Sequence, residues 1–165
     1  MSKKGVSLNP SLSSEPKILK VGIRGVQCGK GVVIVEPSNL YECTLGDGVY
    51  VGPFVEIQRG VKVGANTKIQ SHSFICELVD IGHSCFIGQG VVFINDLFSD
   101  GAPSGNPSHW RRTIIGNNVS IGSNATILPV RICDGCVIGA GAVLTKDALE
   151  CGIYAGNPAR LLRTL

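Results

Sequence analysis

From Leu45 onward an aliphatic or aromatic residue returns every six positions, at Leu45, Val51, Ile57, Val63, Ile69, Ile75, Ile81, Ile87 and Phe93. This constrains the fold more than any other feature, because a short fixed period marks an architecture of small units stacked on one another. Four residues after each of the first eight stands a second, small or β-branched residue: Val49, Val55, Val61, Thr67, Ser73, Val79, Cys85 and Val91. It precedes the next large residue by two, which puts both side chains on one face of a short strand. Gly46, Gly52, Gly64, Gly82 and Gly88 follow the large residue directly, where the chain is expected to turn with positive φ. Each hexad is therefore one strand and one corner, too thin to bury its aliphatics without stacked neighbours. Aromatics are only 5% of the chain and its apolar residues are rich in Val and Ile, which favours extended chain over long helices.

The rhythm stops between Leu97 and Thr113, where Gly, Pro, Ser and Asn dominate (LFSDGAPSGNPSHWRRT). It resumes as Ile115, Ile121 and Ile127, takes one five-residue step to Ile132, and continues to Ile138 and Leu144. The spacing predicts one domain over 1–165, with coils at 17–96 and 114–158 and an excursion loop at 97–113. Residues 1–16 read as a polar tail and 17–44 as a first coil in looser register; 159–165 are expected to form a short C-terminal helix. A long loop in a compact fold is usually functional or disordered, and Trp110 beside Arg111 and Arg112 offers an anchor and charge for an anionic ligand.

The pattern resembles the hexapeptide-repeat acyltransferases, in which three hexads form one triangular coil of an all-β, left-handed parallel β-helix. On that geometry residues 18 apart stack. Glu56, Phe74 and Val92 form one outward column and Tyr50, Lys68 and Phe86 another; outward Phe74, Phe86 and Val92 are suited to a subunit interface, so a homotrimer is expected. Arg59, Glu77 and Asn95 stack at the corner where the loop departs.

Residues 69–98, IQSHSFICELVDIGHSCFIGQGVVFINDLF, resemble more narrowly the acetyltransferases that acylate nucleotide-linked 3-amino sugars for bacterial surface polysaccharides. The resemblance implies that Asn95 holds the sugar amine, with Asp96 beside it as proton acceptor. His72 is the leading imidazole candidate and His83 the second; in the same branch the leaving thiolate takes the proton instead. Arg59, Glu77, His83, Trp110 and Arg111 become the substrate-binding set. IGAGAVLTKD, residues 138–147, and YAGNPAR, residues 154–160, resemble the coenzyme A end of the family. Gly139 and Ala140 would flank the pantetheine arm of acetyl-CoA, and Lys146 and Arg160 would meet its phosphates.

The net charge of +3 is spread out and gives no nucleic-acid-binding run. No apolar stretch reaches the roughly 18 residues of a membrane span and the N-terminus lacks a secretory signal, so a soluble cytoplasmic protein without a membrane partner is expected. Seven cysteines, an odd number, suggest free thiols. In the lone CxxC, Cys133 takes a corner position and Cys136 an inward one, so the two are expected to point apart in structural roles. A metal-dependent lyase of the carbonic anhydrase type needs three convergent histidines, and His72, His83 and His109, spaced by 11 and 26, do not offer them; no metal is expected. A non-catalytic repeat scaffold is the third reading, weakened by the loop and the two C-terminal motifs. The order of expected acceptors is a dTDP-linked 3-amino-3,6-dideoxyhexose, then UDP-linked 3-amino sugars, then 4-amino sugars.

Overall fold

The computed structural model describes residues 17–18 and 20–165; the expected polar tail lies outside the described residues. The described chain is built almost wholly of two- and three-residue strands, with one 3-10 turn at Pro107–His109. The strands form three sheets of seven, six and eight members. Face A runs from Ile23–Arg24 to Val143–Leu144, face B from Gln27–Cys28 to Arg131–Ile132, and face C from Val33–Ile34 to Gly152–Gly156. The chain visits A, B and C in turn and each strand pairs parallel with its counterpart one coil away, the left-handed parallel β-helix expected from the repeat.

Both inward positions of each hexad fill the lumen. Ile57, Ile69, Ile75, Ile87, Ile121 and Ile138 are fully buried, and so are their small partners Val55, Val91 and Val119. Burying one such aliphatic contributes about 1.5–3 kcal/mol. Backbone amides bond from coil to coil, as in Glu56 N–H to Ser73 O at 3.0 Å and Gln58 N–H to Ile75 O at 3.0 Å. The outward columns are as read: Phe74 lies against Glu56 and Val92 on face A, and Phe86 against Lys68 on face C.

Four details depart from the sequence reading. First, Gly46, Gly52, Gly64, Gly82 and Gly88 do not have positive φ; the left-handed residue comes two places later, at Gly48, Phe54, Asn66, Ser84 and Gly90. The earlier glycines are needed for proximity: a Cβ on Gly64 would lie 2.5 Å from Gly82 C, and one on Gly46 2.7 Å from Ala65 N. Second, the first corner position therefore points along the helix toward the neighbouring coil. This is why Cys133 leans onto the core and its Sγ sits 3.3 Å from Cys136 Sγ, where the two had been expected to diverge.

Third, the loose register of residues 17–44 is ordered, with two further five-residue steps, Ile23 to Cys28 and Leu40 to Leu45, both between faces A and B. Fourth, the expected C-terminal helix is a strand. Gly156, Asn157 and Pro158 reverse the chain, and Ala159–Thr164 pairs antiparallel with Gly152–Gly156. A short segment without caps is a marginal helix, whereas the open edge of face C offers partners for its backbone.

Candidate active site

The corner between faces A and B gathers most of the candidate residues. Arg59, Glu77 and Asn95 stack there, each two places beyond a buried face A residue, Ile57, Ile75 or Phe93. Asn95 is pinned at both ends. Its backbone carbonyl accepts the Arg111 amide at 2.9 Å, and its Nδ2 donates to Glu77 O at 3.3 Å. Its Oδ1 and the Glu77 carboxylate have no hydrogen-bond partner among the described residues. Arg59 Nε reaches Glu42 at 2.7 Å, an exposed pair of little energetic weight.

The loop that leaves this corner is stitched at its root. Asp96 Oδ1 accepts the Phe98 amide at 2.9 Å and Oδ2 accepts the Ser104 amide at 2.6 Å, so both carboxylate oxygens hold loop backbone. Asn106 caps the Pro107–His109 turn through the Ser108 amide, and His109 Nδ1 lies 3.2 Å from Ser104 Oγ. Arg112 pairs with Asp80, which ties the loop's end to face B, while no partner engages the Arg111 guanidinium among the described residues. Trp110 is half-buried and its Nε1 is a buried donor with no acceptor. A buried indole N–H ordinarily finds one, so this atom is a donor left over beside the loop root.

The histidines lie elsewhere. His72 is on the corner between faces C and A, in the left-handed conformation, with its ring stacked 4.9 Å from that of Phe54. His83 is on the corner between faces B and C, its amide held by Asn117 Oδ1 at 3.0 Å and its Nδ1 3.2 Å from Ser84 Oγ. Within one chain, Asn95, His72 and His83 thus occupy three different corners.

At the C-terminal end Lys146 and Arg160 line one cleft of about 240 Å³ with Leu144, Asp147, Tyr154, Ala159 and Leu161. Lys146 reaches it from the A–B corner and Arg160 from the hairpin. Asp147 Oδ1 accepts the Arg131 amide at 2.8 Å, and Tyr154 OH donates to Glu150 O at 2.9 Å. Gly139 and Ala140 are not in this cleft. They form the C–A corner below His72, where a Cβ on Gly139 would meet Ala155 Cβ at 2.9 Å.

Two neighbours of the site were not singled out from the sequence. Tyr41 ends its face A strand beside the A–B corner, one coil from Gln58, with the Arg24 guanidinium 5.3 Å from its ring centre. Burial, then Glu56 and Glu77, hold its phenol above the ordinary value against the opposing Arg59 and Arg24. The five-residue step from Leu40 to Leu45 sets Leu40 opposite Ile57, so that Glu42 stands opposite Arg59 and Tyr41 opposite Gln58. Tyr154 sits on face C opposite Ile138, a place that the broken rhythm after Leu144 does not mark. Among the described residues no group of His, Cys, Asp or Glu is arranged to hold a metal ion, and no helix is long and apolar enough to cross a membrane.

Two segments match known family descriptions: residues 42–77 match "Bacterial transferase hexapeptide (six repeats)" and residues 112–146 match "Hexapeptide repeat of succinyl-transferase". Among curated proteins the chain is 33% identical over 145 residues to the bifunctional protein GlmU of Streptococcus uberis, covering 83% of this chain and 31% of that one. The chain spans about a third of the length of the curated relatives it matches. Among solved structures it resembles a variant of AntD, an N-acyltransferase from Bacillus cereus, in complex with dTDP and coenzyme A, at 22% identity and TM-score 0.75 over 84% of this chain and 83% of that one. A variant of perosamine N-acetyltransferase from Caulobacter crescentus, in complex with CoA and GDP-perosamine, aligns at 19% identity and TM-score 0.61, over 87% of this chain and 58% of that one. This chain is a hexapeptide-repeat left-handed β-helix, similar in sequence to part of GlmU and in fold to N-acyltransferases crystallised with coenzyme A.

Proposed function

We propose that this chain transfers an acetyl group from acetyl-CoA to the amine of a nucleotide-linked amino sugar. The observation that carries the reading is that Asn95 and Lys146 share the A–B corner two coils apart, about 10 Å at the usual strand spacing, with the excursion loop beside one and the Lys146–Arg160 cleft beside the other. Phosphates held by Lys146 and Arg160 leave a flexible pantetheine arm free to run along that corner to Asn95. There the amine attacks the thioester carbon, the C–S bond breaks, and the thiol leaves. Asn95 Oδ1, an acceptor without a partner among the described residues, is suited to hold the amine in line. The bonds around Asp96 favour a loop-holding role for it and removal of the proton with the leaving thiolate.

A closed trimer fits the outward apolar residues. Half-buried Phe74 and Val92 are on face A, while Phe86, 41% exposed, is on face C. Packing face A of one protomer on face C of the next, around a threefold axis, covers all three residues. It also turns the C–A corner, with His72, toward the axis, and sets the A–B corner beside the neighbour's B–C corner. Asn95 would then face His83 of the partner subunit. A charge at Phe74 should dissociate the assembly and lower activity together; light scattering that finds wild-type monomers at micromolar concentration contradicts the trimer.

The acceptor we favour is a dTDP-linked 3-amino-3,6-dideoxyhexose of the kind built into bacterial surface polysaccharide, followed by UDP-linked 3-amino sugars and then 4-amino sugars. A panel of such sugars with acetyl-CoA, scored by thiol release, tests the activity. Release with one or more of them supports it; release with none, in the presence of folded protein, refutes it.

A further inference from the structure

The corner between Ile132 and Ile138 gathers thiols that the acyl-transfer reading does not use. Cys133 Sγ and Cys136 Sγ are 3.3 Å apart, and a Cβ on Gly135 would lie 3.1 Å from Cys151 Sγ. All three are free; Cys136 is buried, and Cys133 and Cys151 are half-buried. Closing the Cys133–Cys136 contact to a disulfide of about 2.05 Å requires a relative movement of about 1.3 Å. Behind the pair stands the hairpin. Cys136 Sγ donates to Glu150 O at 3.4 Å, and the same oxygen accepts Tyr154 OH, whose ring lines the Lys146–Arg160 cleft.

We propose that Cys133 and Cys136 form a reversible disulfide on exposure to a peroxide, and that this bond disturbs the cleft through Glu150 and Tyr154; the second half rests on the cleft being the acyl-donor site. The Cys133 thiol gives up its proton and the thiolate sulfur attacks a peroxide oxygen; the S–O bond forms, the O–O bond breaks, and the departing hydroxide takes up that proton, leaving sulfenic acid and one water. The Cys136 sulfur then attacks Cys133 Sγ; the S–S bond forms, the S–O bond breaks, and a second water departs with the Cys136 proton. Two thiols lose two electrons and one peroxide becomes two waters. The order follows access. Burial pushes the Cys136 thiol up to about 11, which disfavours it as the first nucleophile, and its contact of 3.3 Å with Cys133 Sγ places it to resolve the sulfenic acid. Oxidation removes the S–H donor to Glu150 O and draws the corner inward, beneath Tyr154.

Trypsin makes the pairing directly readable, because cleavage after Arg131, Lys146 and Arg160 puts Cys133 and Cys136 in one peptide and Cys151 in the next. The folded protein is treated with hydrogen peroxide, its remaining thiols are alkylated, and the digest is weighed, with exposed Cys28 as the control for oxidant exposure. The expected product is peptide 132–146 lighter by two hydrogens, unalkylated, restored by dithiothreitol, and absent from Cys133→Ser. Two alkylated cysteines in that peptide while Cys28 is oxidised would overturn the proposal, and so would a cross-link to peptide 147–160. This mapping makes no reference to acetyl-CoA, so it stands or fails apart from the assigned activity. In the assay, the oxidised wild type should need severalfold more acetyl-CoA and oxidised Cys133→Ser should not; an unchanged requirement in a fully disulfide-bonded protein would overturn the link to the cleft.

Discussion

Two corners of the same prism, both lined with Asp, Asn and Glu, differ in how much of that hydrogen-bonding capacity is spent on backbone: on the A–B corner Asp96 and Asp147 hold amides but others hold none. On the B–C corner Asp47 Oδ1 accepts the Lys30 amide at 2.7 Å, Asn117 Oδ1 the His83 amide at 3.0 Å, and Asp134 Oδ1 the Asn117 amide at 2.8 Å. Each fastens the backbone of the preceding coil, much as a capping residue fastens a helix end. On the A–B corner the Glu77 carboxylate and Asn95 Oδ1 hold nothing among the described residues, Trp110 Nε1 is a buried donor without a partner, and a long loop leaves the prism. Residue type does not distinguish the two corners. Unused hydrogen-bonding capacity, next to an irregularity in the repeat, does.

The contrast sharpens most at the far end of the A–B corner. Alanine at Lys146 or Arg160 should raise the acetyl-CoA requirement roughly tenfold or more, the scale of a lost hydrogen bond to a charged group, and leave the sugar requirement nearly unchanged. The opposite pattern in steady-state kinetics would assign the cleft to the nucleotide sugar. On the B–C corner, Gly82→Ala drives a Cβ to within 2.5 Å of Gly116 O and Asn117 Oδ1. Chemical denaturation should register a loss of about 1–3 kcal/mol, as for other overpacked sites. Asn117→Ala should cost about 0.5–1.5 kcal/mol by removing the bond to the His83 amide. Its turnover should stay near wild type, and a large loss of turnover without a loss of stability would break the division between the corners.

The smallest effect is a pH dependence at Asp134. The Asn117 backbone amide, then the Asn117 side chain, hold its carboxyl below the ordinary value against a small desolvation effect, with His83 lowering it further. A depressed folded pKa means that the stabilisation is present above the unfolded-state value and is lost as pH falls through the folded one. Asp134→Ala should therefore melt slightly below wild type near neutrality, and the gap should close in acid below the ordinary carboxylate range. A gap that widens in acid would mean that the carboxylate is not what the Asn117 amide stabilises.

Much of this was legible from the six-residue period. It fixes which side chains enter the lumen, and its multiple of 18 stacks Arg59, Glu77 and Asn95 beside the loop. The same arithmetic separates His72, His83 and Asn95 onto three corners once Ile69, Ile81 and Phe93 are assigned to successive faces. What escaped were features set by contact between coils. The glycines after the large residue answer to a neighbouring backbone, and so does the inward lean of Cys133. The five-residue steps at Ile23 and Leu40 shift the register by one, so that Glu42 stands opposite Arg59 where 18-residue spacing would put Tyr41. The hairpin that brings Arg160 to Lys146 depends on the open edge of face C, which local propensity does not encode.

Asn95 offers the most direct test. If it aligns the amine for attack, Asn95→Ala should cut turnover roughly a hundredfold, the scale associated with misplacing a reacting group, because alignment matters most in the transition state. Thermal stability, assembly and acetyl-CoA affinity should survive, since Asn95 contributes one side-chain bond of 3.3 Å to the fold. Thiol release with the best amino-sugar acceptor, measured for wild type and Asn95→Ala at saturating acetyl-CoA, gives the answer. A hundredfold drop in a folded, assembled variant is the predicted result; near-wild-type turnover would contradict the account and move the chemistry from the A–B corner to the corners that carry His72 and His83.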